Sequence, residues 1–466
     1  MAGKSIADLI YLPDMTNPKI LAAMRIISSM FPAAYLGSPE FVPLLSLKMV
    51  DLSIEYGNTG LSANGYCTYG FLLCGVIGDI DTGYEFGQLS LNVLSKTNAV
   101  YLQATILLTY NTFIGYWKSH AKNFLKPLQD VYRIGLETGD LEFAGYGLYN
   151  YSYISYLTGR ELTGIEREMA TYCEILKRLQ QTTSLSSVQI WQQTVLNLMN
   201  QSKDACCLVG EAYDETIMLP IHQEMNYVMA ICLVYFNKLF LNYLFGHFSF
   251  AILCSTEAEK YLSSLTGKLT VPNFYLYDSL TRLAEYCNLT SSEKNIFLEK
   301  VNLNQQKMQH WAHHSPMNFL HKYYLVEAEK KRVFGEKIAA MDYYDKAIYF
   351  AKQNSYLQEE ALANELAGKF YLDWDKQTIA HTYLTNAYYC YARWGALAKV
   401  NDLEKCYPQL LASIRQREIV NFNSTETISI NSNIEKTITN SSSTLLGALD
   451  LVSFIKASQV ISSEIE

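Results

Sequence analysis

The chain has 466 residues, of which 49% are hydrophobic and 18% charged, and its formal net charge is −8. This apolar content excludes a wholly disordered chain, and the acidic balance without a basic run makes nucleic acid a poor partner, because phosphate binding requires clustered Lys and Arg. The chain is longer than a domain with a single hydrophobic core usually is, unless it is a repeat array.

The sequence predicts a pair of helices near the N-terminus. Asn17-Pro18 is typical of a helix start, and we expect this helix to end at Phe31-Pro32, where proline lacks a backbone donor. A second helix is predicted from Ser38-Pro39 to Gly57-Asn58, because glycine commonly follows a helix end. No stretch alternates apolar and polar residues with period two, so strands are expected to be minor or absent.

Internal repetition is the next signal along the chain. A turn residue is followed by a small residue, an aromatic or leucine, and a second small residue, and this plan recurs at spacings near 40 or 80 residues. The pattern positions are Gly83, Phe86 and Ser90; Gly164, which opens an incomplete copy; Ala340, Tyr344 and Ala347; and Ala380, Leu384 and Ala387.

This pattern resembles tetratricopeptide repeats lengthened from about 34 to about 40 residues. Each helical hairpin cannot bury its own faces, so neighbouring hairpins stack. The sequence therefore predicts an all-α fold, a right-handed α-solenoid of about ten tetratricopeptide-like hairpins over residues 1–415. Residues 200–300 fit the pattern worst, and helices there are expected from amphipathicity alone.

Two further segments are predicted at the C-terminus. Residues 416–444 are rich in Ser, Thr and Asn and indicate a polar linker, whereas residues 445–466 indicate an amphipathic coiled-coil-type helix. We expect this helix to permit a homodimer. The heptad positions of this predicted helix are Leu451, Phe454, Ser458, Ile461 and Ile465.

Candidate phosphate and metal sites are few. Gly3-Lys4-Ser5 matches only the end of a phosphate-binding loop, and protein kinase motifs are absent from the sequence. His310 and His314, spaced i and i+4, could bind zinc on one helix face, but we favour histidines that form hydrogen bonds at a turn around Ser315-Pro316. His313 and His321 belong to the same cluster.

The remaining polar candidates have ordinary structural explanations. Asp79, Asp81 and Asp140 lie beside turn glycines, where aspartate commonly caps helices. The run at residues 327–332 (EAEKKR) is expected to be a solvated helix face. Cys206-Cys207 are expected to face different sides of a helix and to pack in the core.

The ten cysteines are expected to be reduced thiols of a cytoplasmic protein, since they form no C-x-x-C pair and no secretory signal precedes them. The most apolar run, residues 227–236, is half the length that a bilayer requires. We therefore expect no membrane span, and we expect no cofactor, no metal ion and no catalytic residue.

The aromatic run at residues 387–400 (AYYCYARWGALAKV) has two interpretations. Tyr388, Tyr391 and Trp394 could form a ligand cage, or they could lie along one stripe of a helix and pack against the next hairpin. We favour the packing interpretation, because such a stripe in a solenoid is usually a joint between units.

Several long phrases resemble one protein family. They lie at residues 9–26, 311–330, 363–371, 387–411 and 449–466, and the resemblance covers nearly the whole chain. They are similar to the middle helical-repeat region of the multi-sensor signal-transduction multikinases of cyanobacteria and other bacteria. Those proteins combine a serine/threonine kinase, an AAA-type ATPase, this repeat region, a GAF domain and a histidine kinase.

The resemblance implies an interaction region and no catalysis. The ATPase would end before Met1 and the GAF domain would begin after Glu466, so no catalytic or nucleotide-binding residue of the family has a counterpart here. We therefore expect a non-catalytic module that couples NTPase and sensor-kinase modules or docks a protein partner, in cis or in trans. Two alternatives stay open: a kinase subunit that acts with separately encoded domains, and a solenoid that senses a small molecule.

Overall fold

The computed structural model of the protein describes residues 5–409, and this part of the chain is built from 19 α-helices. Within it, β-structure is confined to two isolated bridges, Asp14 with Asn58 and Val209 with Asp214. The all-α prediction is therefore confirmed. In chain order the α-helices are α1 (Pro18–Gly37), α2 (Val42–Tyr56), α3 (Gly60–Leu72), α4 (Ile80–Thr97), α5 (Gln103–Phe113), α6 (Leu125–Thr138), α7 (Leu141–Leu157), α8 (Leu162–Arg178), α9 (Thr182–Leu198), α10 (Glu215–Glu224), α11 (Val228–Leu244), α12 (Phe248–Lys260), α13 (Thr270–Glu285), α14 (Ser291–His314), α15 (Pro316–Val333), α16 (Lys337–Gln353), α17 (Leu357–Asp373), α18 (Gln377–Trp394) and α19 (Leu397–Cys406).

Consecutive helices pack as hairpins and stack into an α-solenoid. The most extensive pairings are α3 with α4, α6 with α7, α11 with α12, α15 with α16, and α17 with α18. Helices α15, α17 and α19 begin at Pro316, Leu357 and Leu397, so the repeat is 40 or 41 residues long in this part of the chain. Many of the turns are short because one residue adopts the left-handed conformation, as at Gly335 and Asp375.

Most of the predicted repeat positions form the contacts between paired helices. Ala340, Ala380 and Phe86 are buried, and the other members of those three copies are buried as well. Gly164 is different, because a Cβ there would meet only the flexible Glu161 carboxylate, at 3.4 Å. Helix α8 packs mainly on α9, not on α7, so the prediction that Gly164 marks the close contact of a repeat is wrong.

Helix α1 does not end at Phe31-Pro32 as predicted but continues through Pro32 to Gly37. Residues on both sides of the proline are buried, Phe31 before it and Ala34 after it. This packing holds the chain helical although the proline cannot donate a backbone hydrogen bond. The predicted stop at Gly57 is confirmed, since α2 ends at Tyr56 and Gly57 has a φ of +95°.

The chain also contacts itself across about 200 residues. Asn318 donates hydrogen bonds to the carbonyls of Tyr116 and Ser119, at 2.7 and 2.8 Å. Further along, Gln358 donates to the carbonyl of Leu157 at 2.8 Å. We call this contact of residues 116–157 with residues 315–358 the seam. It brings distant parts of the solenoid together, and its buried apolar residues join those of the hairpins in one core. We call the chain up to α7 the first turn of the solenoid and the chain from α14 onward the second turn.

None of the helices within residues 5–409 has the length and apolarity needed to cross a bilayer. The apolar run at residues 227–236 belongs to α11, which extends beyond it to Leu244 and is buried in the core. The predicted linker (416–444) and coupling helix (445–466) lie outside the described residues.

Candidate functional site

The four histidines of the predicted cluster are placed by the seam and its surroundings. His310 contacts the carbonyl of Gly78 through Nε2 at 2.9 Å, and the His310 and His314 rings are 4.8 Å apart. His314 Nδ1 lies 3.5 Å from a carboxylate oxygen of Asp81, a neighbour that the local sequence did not indicate. Within residues 5–409 no three His, Cys, Asp or Glu side chains are grouped as metal ligands would be.

His321 lies apart from the other three and is part of a buried ionic group. Its Nε2 contacts Glu359, which also pairs with Lys322, and all three side chains are at most 2% exposed. Burial lowers the pKa of both His321 and Lys322. Burial alone would raise the pKa of Glu359, but the neighbouring Lys322 and His321 outweigh that effect and lower it.

Two of the three aspartates cap helices as predicted. Asp79 accepts a hydrogen bond from Thr82 N at the start of α4, and Asp140 accepts one from Phe143 N at the start of α7. Asp81 instead forms an ion pair with Lys118, which is the main reason that its pKa is lowered.

Two predictions about polar side chains are wrong. The run at residues 327–332 is not a solvated face: Glu327 and Glu329 are 9% and 3% exposed, because α15 packs on both α16 and α13. Cys206 and Cys207 lie in the loop between α9 and α10, not on a helix. Cys206 is buried there, whereas Cys207 is partly exposed and contacts Asp204. All ten cysteines of the chain are described, and each is a free thiol.

The aromatic run at residues 387–400 packs in the core and forms no cage. Tyr388, Tyr391 and Trp394 are at most 1% exposed. The hydroxyl of Tyr391 donates to Glu365 on the preceding helix at 2.8 Å, whereas the Trp394 ring lies 6.0 Å from that of Tyr156 on α7. The packing interpretation is therefore confirmed, with part of the contact made to the first turn of the solenoid and not to the next hairpin.

A cavity of about 450 Å³ lies where α1, α3, α5 and α7 meet the loop before α13. Its walls are mainly apolar, and three of its rings form a cluster: the Phe71 and Phe113 centroids are 4.7 Å apart, and Tyr35 lies 6.0 Å from Phe113. Arg25 and Tyr101 are exposed and mark the open side of the cavity. Its size is within the range of small-molecule sites.

Lys268 lies on the buried side of this cavity and is 4% exposed. Its Nζ donates to Asn150 Oδ1 at 3.2 Å and is 4.9, 5.2 and 5.5 Å from the ring centroids of Tyr149, Phe113 and Tyr153. No acidic side chain among residues 5–409 forms an ion pair with it, and burial lowers its pKa to about 7.

Sequence reasoning missed Lys268. It lies in the stretch SLTGKLTVP at residues 264–272, where a lysine after a glycine looks like an ordinary loop residue. The signal that reveals the site is spatial, since Asn150 and Phe113 are more than 100 residues away along the chain.

The outer side of the first two helices carries exposed apolar side chains. Ile26 and Leu44 are each 62% exposed, and they are joined by Met30, Phe41 and Leu47, which are 44–52% exposed. We call these five residues the N-terminal apolar face. Terminal units of repeat arrays usually present polar residues on their outer side, so this composition is unusual.

No family model matches the chain. It is similar to "Hybrid signal transduction histidine kinase G" of Dictyostelium discoideum, with 48% identity over 61 residues, which is 13% of this chain and 2% of that protein. A solved structure described as "Circular tandem repeat protein with novel repeat topology and enhanced subunit contact surfaces" aligns over 91% of this chain and all of its own, at 11% identity. Its TM-score is 0.16, so it carries no argument about this fold.

Proposed function

We propose that the chain is a helical-repeat interaction and regulatory region of a signal-transduction protein. The observation that carries this proposal is the 61-residue similarity to a hybrid signal transduction histidine kinase. The fold supports it, because helical repeats commonly present extended surfaces to protein partners. The matched segment spans only about 2% of that kinase, so its catalytic activity is not assigned to this chain.

More specifically, we propose that the chain is the middle region of a multikinase. It would act in the cytoplasm and couple an AAA-type ATPase to a GAF-histidine kinase unit. Three long phrases that carry the resemblance, at residues 311–330, 363–371 and 387–411, supply buried polar contacts of the second turn. Among these are Asn318, Lys322 and the Glu365–Lys399 pair.

The N-terminal apolar face is the surface that we assign to the ATPase module. In the family that the sequence resembles, that module precedes the repeat region, so helices α1 and α2 would lie nearest to it. Burial of large apolar side chains is the main driving force for protein association.

This assignment is tested with the kinase–ATPase segment of a multikinase of this family, expressed separately. We expect the purified 466-residue chain to change its ATPase rate, and the Ile26→Glu, Leu44→Glu double variant to lose the effect. The control is Phe250→Glu, Leu253→Glu on α12, since those residues are 65% and 62% exposed. An unchanged ATPase rate, or equal effects of both double variants, would contradict the proposal.

The alternative of a catalytic kinase subunit predicts nucleotide binding. We expect titration of the purified chain with ATP and Mg²⁺ to give no saturable binding. Micromolar affinity for ATP would overturn the non-catalytic assignment.

We propose that the helix predicted over residues 445–466 holds two copies of the chain together. We expect light scattering to give a dimer for the full chain and a monomer for a variant that lacks residues 449–466. A dimer that persists without those residues would contradict this part of the proposal.

A further inference from the structure

We propose that the cavity beside Lys268 binds an amphipathic organic anion, with a carboxylate at Lys268 and an apolar body among the rings of Tyr35, Phe71 and Phe113. This inference stands on the geometry of the cavity and is independent of the signalling role proposed above. It favours the small-molecule alternative as an additional property of the same solenoid.

The charge of Lys268 lacks an opposite partner among residues 5–409. Burying an ammonium group costs free energy unless it is paired, and buried lysines usually contact a carboxylate. Lys322 and Lys399, which are equally buried, both do so, with Glu359 and with Glu365. Lys268 has only the amide oxygen of Asn150 and the faces of three rings. A ligand carboxylate would supply the missing opposite charge.

The same wall of the cavity carries a second unused donor, the hydroxyl of Tyr149. Tyr149 is 1% exposed, lines the cavity, and has no hydrogen-bond partner for its hydroxyl among the described residues. A buried hydroxyl without a partner costs free energy. Its ring lies 4.9 Å from Lys268 Nζ, so a carboxylate bound at Lys268 is the acceptor that would serve both groups.

The shape and lining of the cavity suit a ligand with an apolar body. Beyond Lys268 the cavity is lined mainly by apolar side chains, including Leu108 and Met229, and it opens to solvent beside Arg25 and Tyr101. A volume of about 450 Å³ accommodates a medium-length alkyl or aryl chain. A small inorganic anion would leave the apolar walls uncovered.

Binding is expected to depend on the protonation of Lys268. Burial raises the pKa of Tyr35, Tyr149 and Tyr153 above the usual tyrosine value and raises the pKa of Cys232 to about 12, so these groups stay protonated at pH 7–9. Burial also raises the pKa of Asp140 above its usual value. The titratable and charged groups that surround the cavity and Lys268 are Arg25, Tyr35, Tyr101, Tyr116, Asp140, Tyr146, Tyr149, Tyr153, Tyr227 and Cys232.

The probes are sodium decanoate and 1-decanol, which share an apolar body and differ in charge. In calorimetric titrations of the full chain at pH 7, we expect decanoate to bind at least tenfold more tightly than 1-decanol. Lys268→Met should reduce this preference to less than threefold while it keeps the affinity for 1-decanol. Thr109→Phe, which fills the cavity from α5, should abolish binding of both probes.

Lys307→Met is the matched control, because Lys307 also lies over a tyrosine ring, that of Tyr275 at 4.3 Å, but outside this cavity. It should leave both affinities unchanged. Raising the pH from 7 to 9 should weaken decanoate binding by up to about 50-fold, because the carboxylate needs the protonated lysine. Equal binding of the two probes, absence of binding, or a charge preference that survives Lys268→Met would overturn the proposal.

Discussion

Glu365 is the clearest single-residue example of how this fold stabilises a buried charge. Its carboxylate is 2% exposed and lies 2.7 Å from Lys369 Nζ and 2.9 Å from Lys399 Nζ. Burial alone would raise the pKa of Glu365, but the two lysines outweigh it and lower the pKa to about 2. The carboxylate therefore stabilises the folded chain in its ionised form.

We predict that Glu365→Gln destabilises the protein by about 3–5 kcal/mol at pH 7, because it leaves Lys399 buried without that partner. Since the folded pKa lies below the unfolded value of 4.5, the difference from wild type is present above pH 4.5 and is lost as the pH falls towards 2. Urea titrations at pH 7, 4 and 3 measure it. Lys369→Met is the control and should cost less than about 1 kcal/mol, since Lys369 is 38% exposed. A pH-independent effect of Glu365→Gln would contradict this account.

The effect of Lys268 on the free energy of unfolding should change with pH in the opposite direction, becoming smaller as the pH rises. Its pKa is lowered from 10.5 to about 7, so the unfolded chain binds more protons than the folded chain between these values. Lys268→Met should therefore stabilise the ligand-free protein by up to about 4 kcal/mol at pH 7, and its advantage should shrink by about 1.4 kcal/mol per pH unit up to pH 10. Urea midpoints of the two proteins at pH 7, 8 and 9 test this. An advantage that stays constant over this range would mean that folding does not lower the pKa of Lys268.

At the scale of elements, the close contact of α3 with α4 depends on a pair of glycines. A Cβ on Gly83 would lie 2.7 Å from the carbonyl oxygen of Gly70, and a Cβ on Gly70 would lie 2.6 Å from that of Gly83. Backbone atoms cannot move aside as a flexible side chain can. The two helices can therefore approach this closely only while both positions lack side chains.

We predict opposite effects of alanine at the two glycines that the repeat pattern treats alike. Gly83→Ala should destabilise by about 2 kcal/mol through overpacking. Gly164→Ala, in open space on α8, should stabilise by about 0.5–1 kcal/mol, because alanine is the better helix former. Thermal unfolding of both variants tests this. If both variants were destabilised, or both stabilised, the spacing of small residues in the sequence would alone determine the effect of alanine at these positions.

Some of these features could be predicted from the sequence and others could not. The turns and the small residues of α15 to α18 could be predicted because they act within 40 residues. Glu327 and Glu329 were misread as solvent-exposed because Gln305 on α14 and Tyr344 on α16 contact them in the packed hairpins. Lys268 was missed because its cavity is built mainly from four helices and a loop, with partners more than 100 residues away that a local pattern does not contain.

At the scale of the whole molecule, the seam ties the two turns of the solenoid together. Asn318 is fully buried, and its amide oxygen accepts from Ala121 N and the Tyr356 hydroxyl while its nitrogen donates to two carbonyls of the first turn. Residues 116–121 thus depend on residues about 200 positions later. In a linear solenoid, each unit contacts only its neighbours.

We predict that Asn318→Ala destabilises the entire described region by at least about 3 kcal/mol, because it leaves buried groups on both turns without partners. Asn364→Ala is the matched control and should change stability by less than about 1 kcal/mol, since Asn364 is equally buried but donates only within its own helix. Urea unfolding measures the stability of both variants, and hydrogen exchange shows which helices lose protection. Loss of protection confined to the second turn would contradict a role of the seam in joining the two.

Ordinary repeat proteins gain and lose whole units during evolution, since removing one unit lets its neighbours meet. The seam removes that freedom here. Deleting or duplicating one 40-residue unit between residues 157 and 316 would shift every later residue away from its partner on the first turn, so that Asn318 would face a different carbonyl. The distance along the chain between the two sides is therefore itself an inherited constraint, and length variation among homologues should be confined to loops that do not change the number of hairpins.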